Sequence, residues 1–132
     1  MKYRILVVED SMSTRSLIVS ALDAIDNLSV VECGNGFEAL KMIPQEKYDL
    51  IITDINMPDI NGLELVSFVK KNPQHRDIPL FIVTTEGRDA DRDRGIALGA
   101  DEYMVKPFDP DDLQKLVARY LKKNAARETA AV

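Results

Sequence analysis

Residues 50–58, LIITDINMP, carry an unbroken apolar run into a carboxylate, Asp54, and reach a proline four residues later. A short apolar run closed by turn residues is the pattern of a strand buried on both faces, and Pro58 forbids its continuation. Three further runs end on a polar group in the same way: ILVV before Glu9 and Asp10, LFIV before Thr84 and Thr85, and YMV before Lys106. Such a repeated arrangement predicts strands whose tips gather reactive side chains.

Working outward, strands are expected at 4–8, 29–32, 50–53, 80–84 and 102–105. Between them the spacing turns helical, and alternation of strands with helices is the signature of parallel strands joined by crossovers. Leu17, Ile18, Ala21, Leu22 and Ile25 mark a first helix that should cover the sheet. A second is expected at 36–46 with Phe37, Leu40 and Ile43 inward, and a third at 62–72 with Leu65, Phe68 and Val69 inward. The fourth, within GRDADRDRGIALG, is charged, poor in large apolar anchors and interrupted by Gly95, which costs about 1 kcal/mol against alanine, so it should be the loosest. The last follows an i, i+3, i+4, i+7 stripe through Leu113, Leu116, Val117, Tyr120 and Leu121. Asp109 suits its cap, Pro110 its first position, and Asp111 and Asp112 its positive end. Gly34, Gly36, Gly62, Gly87 and Gly99 are expected at turns. The fold class is therefore α/β: a five-stranded parallel sheet, doubly wound, with helices on both faces. One domain is expected at 1–123, with 124–132 a short tail that frays.

The chain has 132 residues, 45% hydrophobic and 30% charged, which suits one soluble globular domain. Its net charge of -5, from 22 acidic and 17 basic side chains, repels a phosphate backbone and argues against direct nucleic-acid binding. Cys33 is the only cysteine, excludes an intrachain disulfide, and reads as a small buried residue in a reducing, cytoplasmic setting. No run approaches the roughly 20 apolar residues that span a bilayer, so no membrane partner is expected. His75, the single histidine, reads as a solvated loop residue.

Ligands of an open parallel sheet bind beyond the carboxyl ends of its strands. Glu9, Asp10, Asp54, Thr84 and Lys106 all fall there. Three carboxylates about 4 Å apart at an effective dielectric of 20 repel by about 4 kcal/mol per pair, comparable in sum to the 5–15 kcal/mol of a whole domain's stability, roughly speaking. They must spread, keep a proton or bind a cation. Oxygen donors without a His or Cys cluster favour Mg²⁺, which leaves positions open for phosphate oxygens. Metal, ammonium and hydroxyl around one carboxylate describe a phosphoryl acceptor, with Asp54 as the nucleophile that becomes an acyl phosphate. No GxxxxGK[ST] loop or kinase signature is present, so ATP is not the expected donor.

From Arg4 to Lys122 the chain resembles the receiver domain of bacterial two-component response regulators, whose fold is flavodoxin-like. The stretch DINMPDINGLEL matches the family's acceptor aspartate, Met-Pro and Gly. The resemblance implies phosphoryl transfer to Asp54 from a histidine kinase or phosphotransfer protein. It implies that Glu9, Asp10, Asp54 and the Asn56 backbone carbonyl hold Mg²⁺. It makes Thr84 the switch hydroxyl, Lys106 of KPF the phosphate-binding lysine and Tyr103 the switch aromatic. Asn56 and Glu86 fall where the family tunes acyl-phosphate hydrolysis, and Thr85 stands where alanine is common. The implied output is a changed affinity for a protein target through the face formed by Tyr103 and helix four.

The leading expectation is thus a stand-alone, chemotaxis-type switch rather than an enzyme in the ordinary sense, one that promotes its own phosphorylation and dephosphorylation. A phosphorelay intermediate and a receiver cut from a larger regulator are the nearest alternatives. A haloacid dehalogenase-like phosphatase needs a second aspartate where Asn56 stands. A flavodoxin-like redox module would place a flavin phosphate against Glu9 and Asp10.

Overall fold

The computed structural model describes residues 2–85 and 87–130, with side chains of the last helix described to residue 124. Five strands, β1 (Tyr3–Val8), β2 (Leu28–Cys33), β3 (Leu50–Thr53), β4 (Leu80–Thr84) and β5 (Glu102–Val105), form one parallel sheet in the order β2-β1-β3-β4-β5. They alternate with α1 (Met12–Leu22), α2 (Gly36–Met42), α3 (Gly62–Lys71), α4 (Asp89–Ala97) and α5 (Pro110–Ala130). The expected fold class and all five strands are present.

Successive side chains of a strand point to opposite faces, and β1 divides accordingly. Ile5 and Val7 pack with Ile18 and Leu22 of α1 and Leu113, Val117 and Leu121 of α5. Leu6 and Val8 pack with Ala39 of α2, Ile43, and Leu65, Val66 and Val69 of α3. On that second face lies α4, whose single buried residue is Gly95. A Cβ there would come within 2.9 Å of Ile82 Cδ1 and 3.5 Å of Tyr103 Cδ2. The glycine that weakens the helix is what lets it lie against the sheet.

Several sequence expectations are corrected by the packing. Phe37 is 57% exposed: the buried stripe of α2 runs through Gly36, Ala39 and Ile43, displaced by one residue because a glycine contributes no hydropathy. Phe68 and Leu17 lie on the flanks of their helices and are exposed. Ile25 falls beyond α1, which ends at Leu22, but still packs on the core. Pro44 turns the end of α2 into a 3-10 turn over Ile43–Gln45, so the second helix is shorter than expected. Gly36 and Gly62 open α2 and α3 instead of lying in turns. A side chain at Gly62 would collide with the Asp54 carbonyl, so that helix start is pressed against the residue that follows β3.

His75 is not solvated. It is 9% exposed, with its ring 6.5 Å from that of Phe68. The turn carrying it folds back because Lys70 Nζ donates to the carbonyls of Arg76 and Ile78 and to Asp101. Cys33 is buried as expected, its thiol donating to the Asn35 carbonyl.

At its start α5 follows the expected capping, with Asp109 Oδ1 accepting from Asp111 N–H at 2.9 Å. At its other end it continues to Ala130, so the unit boundary expected at residue 123 falls inside the helix. Residues 122–130 are rich in Lys, Ala, Arg and Glu, all good helix formers. Asn124 also ties the helix to the Asp49 carbonyl at 3.2 Å. Among the described residues no helix is long and apolar enough to cross a membrane.

Candidate functional site

The chain leaves β1 for the edge strand β2 and returns to β3, so its direction of winding reverses between β1 and β3. Ligands of open parallel sheets bind at such a reversal, beyond the carboxyl ends of the two strands. Glu9 and Asp10 follow β1 there, and Asp54 follows β3. Backbone bonds fix both tips: Asp54 N–H donates to the Val8 carbonyl at 3.2 Å and Glu9 N–H to the Cys33 carbonyl at 3.0 Å.

Carboxylate oxygens of Glu9, Asp10 and Asp54 lie within 4.8 Å of one another, with Glu9 and Asp54 buried and Asp10 exposed. Lys106 reaches between the two buried acids, its Nζ 2.6 Å from Glu9 Oε1 and 3.2 Å from Asp54 Oδ2. Asp54 Oδ1 accepts from Ile55 N–H at 2.7 Å and from Asn56 N–H at 3.4 Å. Glu9 Oε2 accepts from Ser11 N–H at 3.2 Å. Burial pushes the Glu9 carboxyl above its ordinary value; the Lys106 hydrogen bond opposes this and the Asp54 charge adds to it. The Lys106 ammonium therefore offsets only part of the cost of burying Glu9. Oxygen donors alone, with one acid open to solvent, can hold a metal ion and suit a hard dication.

Thr84 ends β4 and is fully buried. Its carbonyl accepts from Lys106 N–H at 2.7 Å, so the hydroxyl-bearing and ammonium-bearing residues are joined directly. Tyr103 pairs in register with Ile82 on β4 and is half-buried against the α4 side of the sheet, whereas Asn56 and Thr85 are exposed. Glu86 lies outside the described residues. The structure thus brings Glu9, Asp10, Asp54 and Lys106 together and sets Thr84 beside them.

Sequence reasoning missed the residues that hold this site in shape. Arg15 donates from Nη1 to the Glu9 carbonyl at 2.9 Å and from Nε to Glu32 at 3.2 Å. Thr53 is buried and donates its hydroxyl to the Asp54 carbonyl at 3.0 Å. Asp59 reaches across to α2. For Arg15 the available signal was its place one turn into the helix that follows Glu9; for Asp59 no local pattern exists. A separate cavity of about 760 Å³, lined in part by Tyr48, Asp49, His75 and Asn124, lies at the opposite end of the sheet and shares no residue with the acidic cluster.

Residues 5–118 match the family model of the response regulator receiver domain. The chain is 38% identical over 113 residues to a chemotaxis protein CheY homologue of Campylobacter jejuni, an alignment covering 85% of this chain and 87% of that one. It is also 38% identical to a probable transcriptional regulator, ycf29, of Pyropia yezoensis, where it spans 99% of this chain but 60% of the relative. Among solved structures, the chemotaxis response regulator CheY4 of Vibrio cholerae superposes with a TM-score of 0.82 at 33% identity, covering 91% of this chain and 99% of the other. This chain belongs to the response regulator receiver family. It is a phosphorylatable switch of a two-component system, most like the chemotaxis type, and its family works by signalling rather than as ordinary enzymes.

Proposed function

We propose that Asp54 is the phosphoryl acceptor and that Glu9, Asp10, Asp54 and the Asn56 carbonyl hold Mg²⁺. The observation that carries this reading is the Lys106 ammonium bridging the only two buried acids of the described residues, beside a buried threonine. A carboxylate oxygen of Asp54 attacks the phosphorus of a phosphohistidine on a histidine kinase or phosphotransfer protein. The P–N bond breaks, its electron pair stays on the imidazole, and an acyl phosphate forms. Mg²⁺, when bound, neutralises charge on the phosphoryl oxygens. Lys106 exchanges its carboxylate contact for a phosphate oxygen, and Thr84 donates its hydroxyl to another.

One charge-assisted hydrogen bond of about 1.5–3 kcal/mol shifts a two-state equilibrium roughly 10- to 150-fold. The movement reaches Tyr103 through the β4–β5 register and reaches α4 through the contact of Tyr103 with Gly95. Both lie on the face proposed to meet the downstream target. Asn56, Thr85 and Glu86 are proposed to set the lifetime of the acyl phosphate, and the protein is proposed to act in the cytoplasm. A second reading, the receiver part of a longer regulator, is favoured by the 60% span of the transcriptional relative.

Beryllofluoride with Mg²⁺ mimics the acyl phosphate and tests the switch. Amide NMR shifts should be largest at Thr84, along α4 and from Tyr103 to Lys106. Shifts confined to the neighbours of Asp54 would sink the proposed route to the output face.

Metal binding has its own test. Mg²⁺ at about a hundred times its dissociation constant should raise stability by about 2.7 kcal/mol. EDTA should reverse the gain, and Asp10→Asn should abolish it while leaving the metal-free protein folded, because Asp10 is exposed. An equal thermal shift in that variant would remove Asp10 from the ligand set.

A further inference from the structure

Asp59 lies outside the acidic cluster, at the crown of the loop that joins β3 to α3. Its Oδ1 accepts from Gly36 N–H at 3.2 Å and its Oδ2 from Phe37 N–H at 2.8 Å. These are the first two amides of α2, among the four that a helix start leaves without an intrahelical acceptor. An anion is favoured there by the helix dipole. Asn35 serves the same turn separately, its Oδ1 accepting from Glu38 N–H at 2.8 Å. Loop and helix also touch closely beside the carboxylate, since a Cβ at Gly36 would come within 2.6 Å of the Ile60 carbonyl oxygen.

The loop is consequently fastened at three places. At its foot, Gly62 N–H donates to the Ile55 carbonyl at 2.9 Å. Beside the proposed acceptor, Asp54 Oδ1 accepts from Ile55 N–H at 2.7 Å and from Asn56 N–H at 3.4 Å. At its crown, Asp59 grips α2. The Asn56 carbonyl and Met57 follow the second fastening and precede the third, in a stretch without helix or strand. We infer that Asp59 is a positioning residue, which by docking the loop crown on the first turn of α2 fixes the segment that supplies the Asn56 carbonyl to the metal. The inference rests on the reading of Asn56 as a ligand. Desolvation works to raise the Asp59 carboxyl, but the amides of Phe37, Ile60 and Gly36 outweigh it and hold the carboxyl below its ordinary value, so the gripping form is the anion.

A pure helix cap and a positioning residue differ in what else moves when they are removed. Asp59→Ala deletes both bonds, whereas Asp59→Asn keeps one acceptor oxygen and turns an amide donor toward the other N–H. Asn35→Ala deletes a cap of the same helix without touching the loop. Two measurements decide: the Mg²⁺ dissociation constant by calorimetry, and hydrogen exchange of the Ile55, Asn56 and Met57 amides in metal-free protein.

Outer partners of metal ligands typically change affinity by about 10- to 100-fold. Asp59 acts through a loop, so Asp59→Ala should weaken Mg²⁺ binding by about three- to tenfold, with faster exchange at those amides and a smaller effect for Asp59→Asn. Asn35→Ala should lower thermal stability and leave Mg²⁺ affinity unchanged. If Asp59→Ala binds Mg²⁺ as the wild type does, whatever its stability or exchange, the inference fails and the metal reading stands. Failure of the wild type itself to bind Mg²⁺ would overturn the metal reading and this inference with it.

Discussion

Asp54→Asn should take up no phosphoryl group from acetyl phosphate or from a phosphorylated histidine kinase, and mass spectrometry should find only the unmodified chain. The amide has no anionic oxygen with which to attack phosphorus. Its carbonyl oxygen can still accept from Ile55 N–H, as Asp54 Oδ1 does at 2.7 Å. Lys106 retains its stronger partner, Glu9 Oε1 at 2.6 Å, against 3.2 Å for Asp54 Oδ2. Removing one of three crowded carboxylates also relieves repulsion. The variant should therefore remain folded, with metal-free stability equal to or above that of the wild type, so that loss of uptake is a chemical loss. A phosphorylated Asp54→Asn protein, its label on Asp10 or Thr84, would show that another residue is the acceptor.

How far the fold could be read from the sequence depended on how each element is buried. Leu50–Thr53 and Leu80–Thr84 are buried at every position. A strand covered on both faces leaves an uninterrupted apolar run, and its end is marked by the first polar residue. Helices were legible as elements but less so in their facing. Gly36, Gly62 and Gly95 are all buried helical residues, and each makes its contact by lacking a side chain. A hydropathy stripe cannot register them, and beside Gly36 it points Phe37 inward although Phe37 is exposed. The burial of His75 likewise depends on Lys70 closing a turn from a distance, which no local pattern encodes.

The acidic cluster was legible for a topological reason: parallel strands put all their carboxyl ends at one edge, so residues far apart in sequence meet if they share that position. Glu9 and Lys106 are 97 residues apart and form the shortest ion pair of the site. What strand-end reasoning could not supply is which partner each group prefers. Charge counting treats the three acids alike, yet Glu9 is 1% exposed and Asp10 is open to solvent. The difference arises because Glu9 continues directly from β1 under the backbone bond to Cys33, whereas Asp10 lies one residue further toward the surface.

That inequality gives Lys106→Ala the second large effect. Without the ammonium, Glu9 and Asp54 face each other buried and unpaired, and breaking a buried pair costs about 3–5 kcal/mol. Glu9 can escape part of this by taking a proton, since burial already holds its carboxyl above the ordinary value of 4.5 and the Lys106 bond that opposed the shift is gone. The sign of the pH dependence follows. A carboxyl raised in the folded state destabilises the fold only when ionised, so its penalty is absent below about 4.5 and complete above the folded-state value. Measured by urea denaturation in EDTA, the deficit of Lys106→Ala relative to wild type should be small near pH 4.5 and grow toward neutrality. Added Mg²⁺ should recover part of it at pH 7, because a dication among the same oxygens replaces the missing positive charge. The beryllofluoride-induced shifts along α4 should not return with the metal, since the donor linked through its backbone to Thr84 is lost. A deficit independent of both pH and Mg²⁺ would mean that the lysine contributes only the packing of its methylene chain.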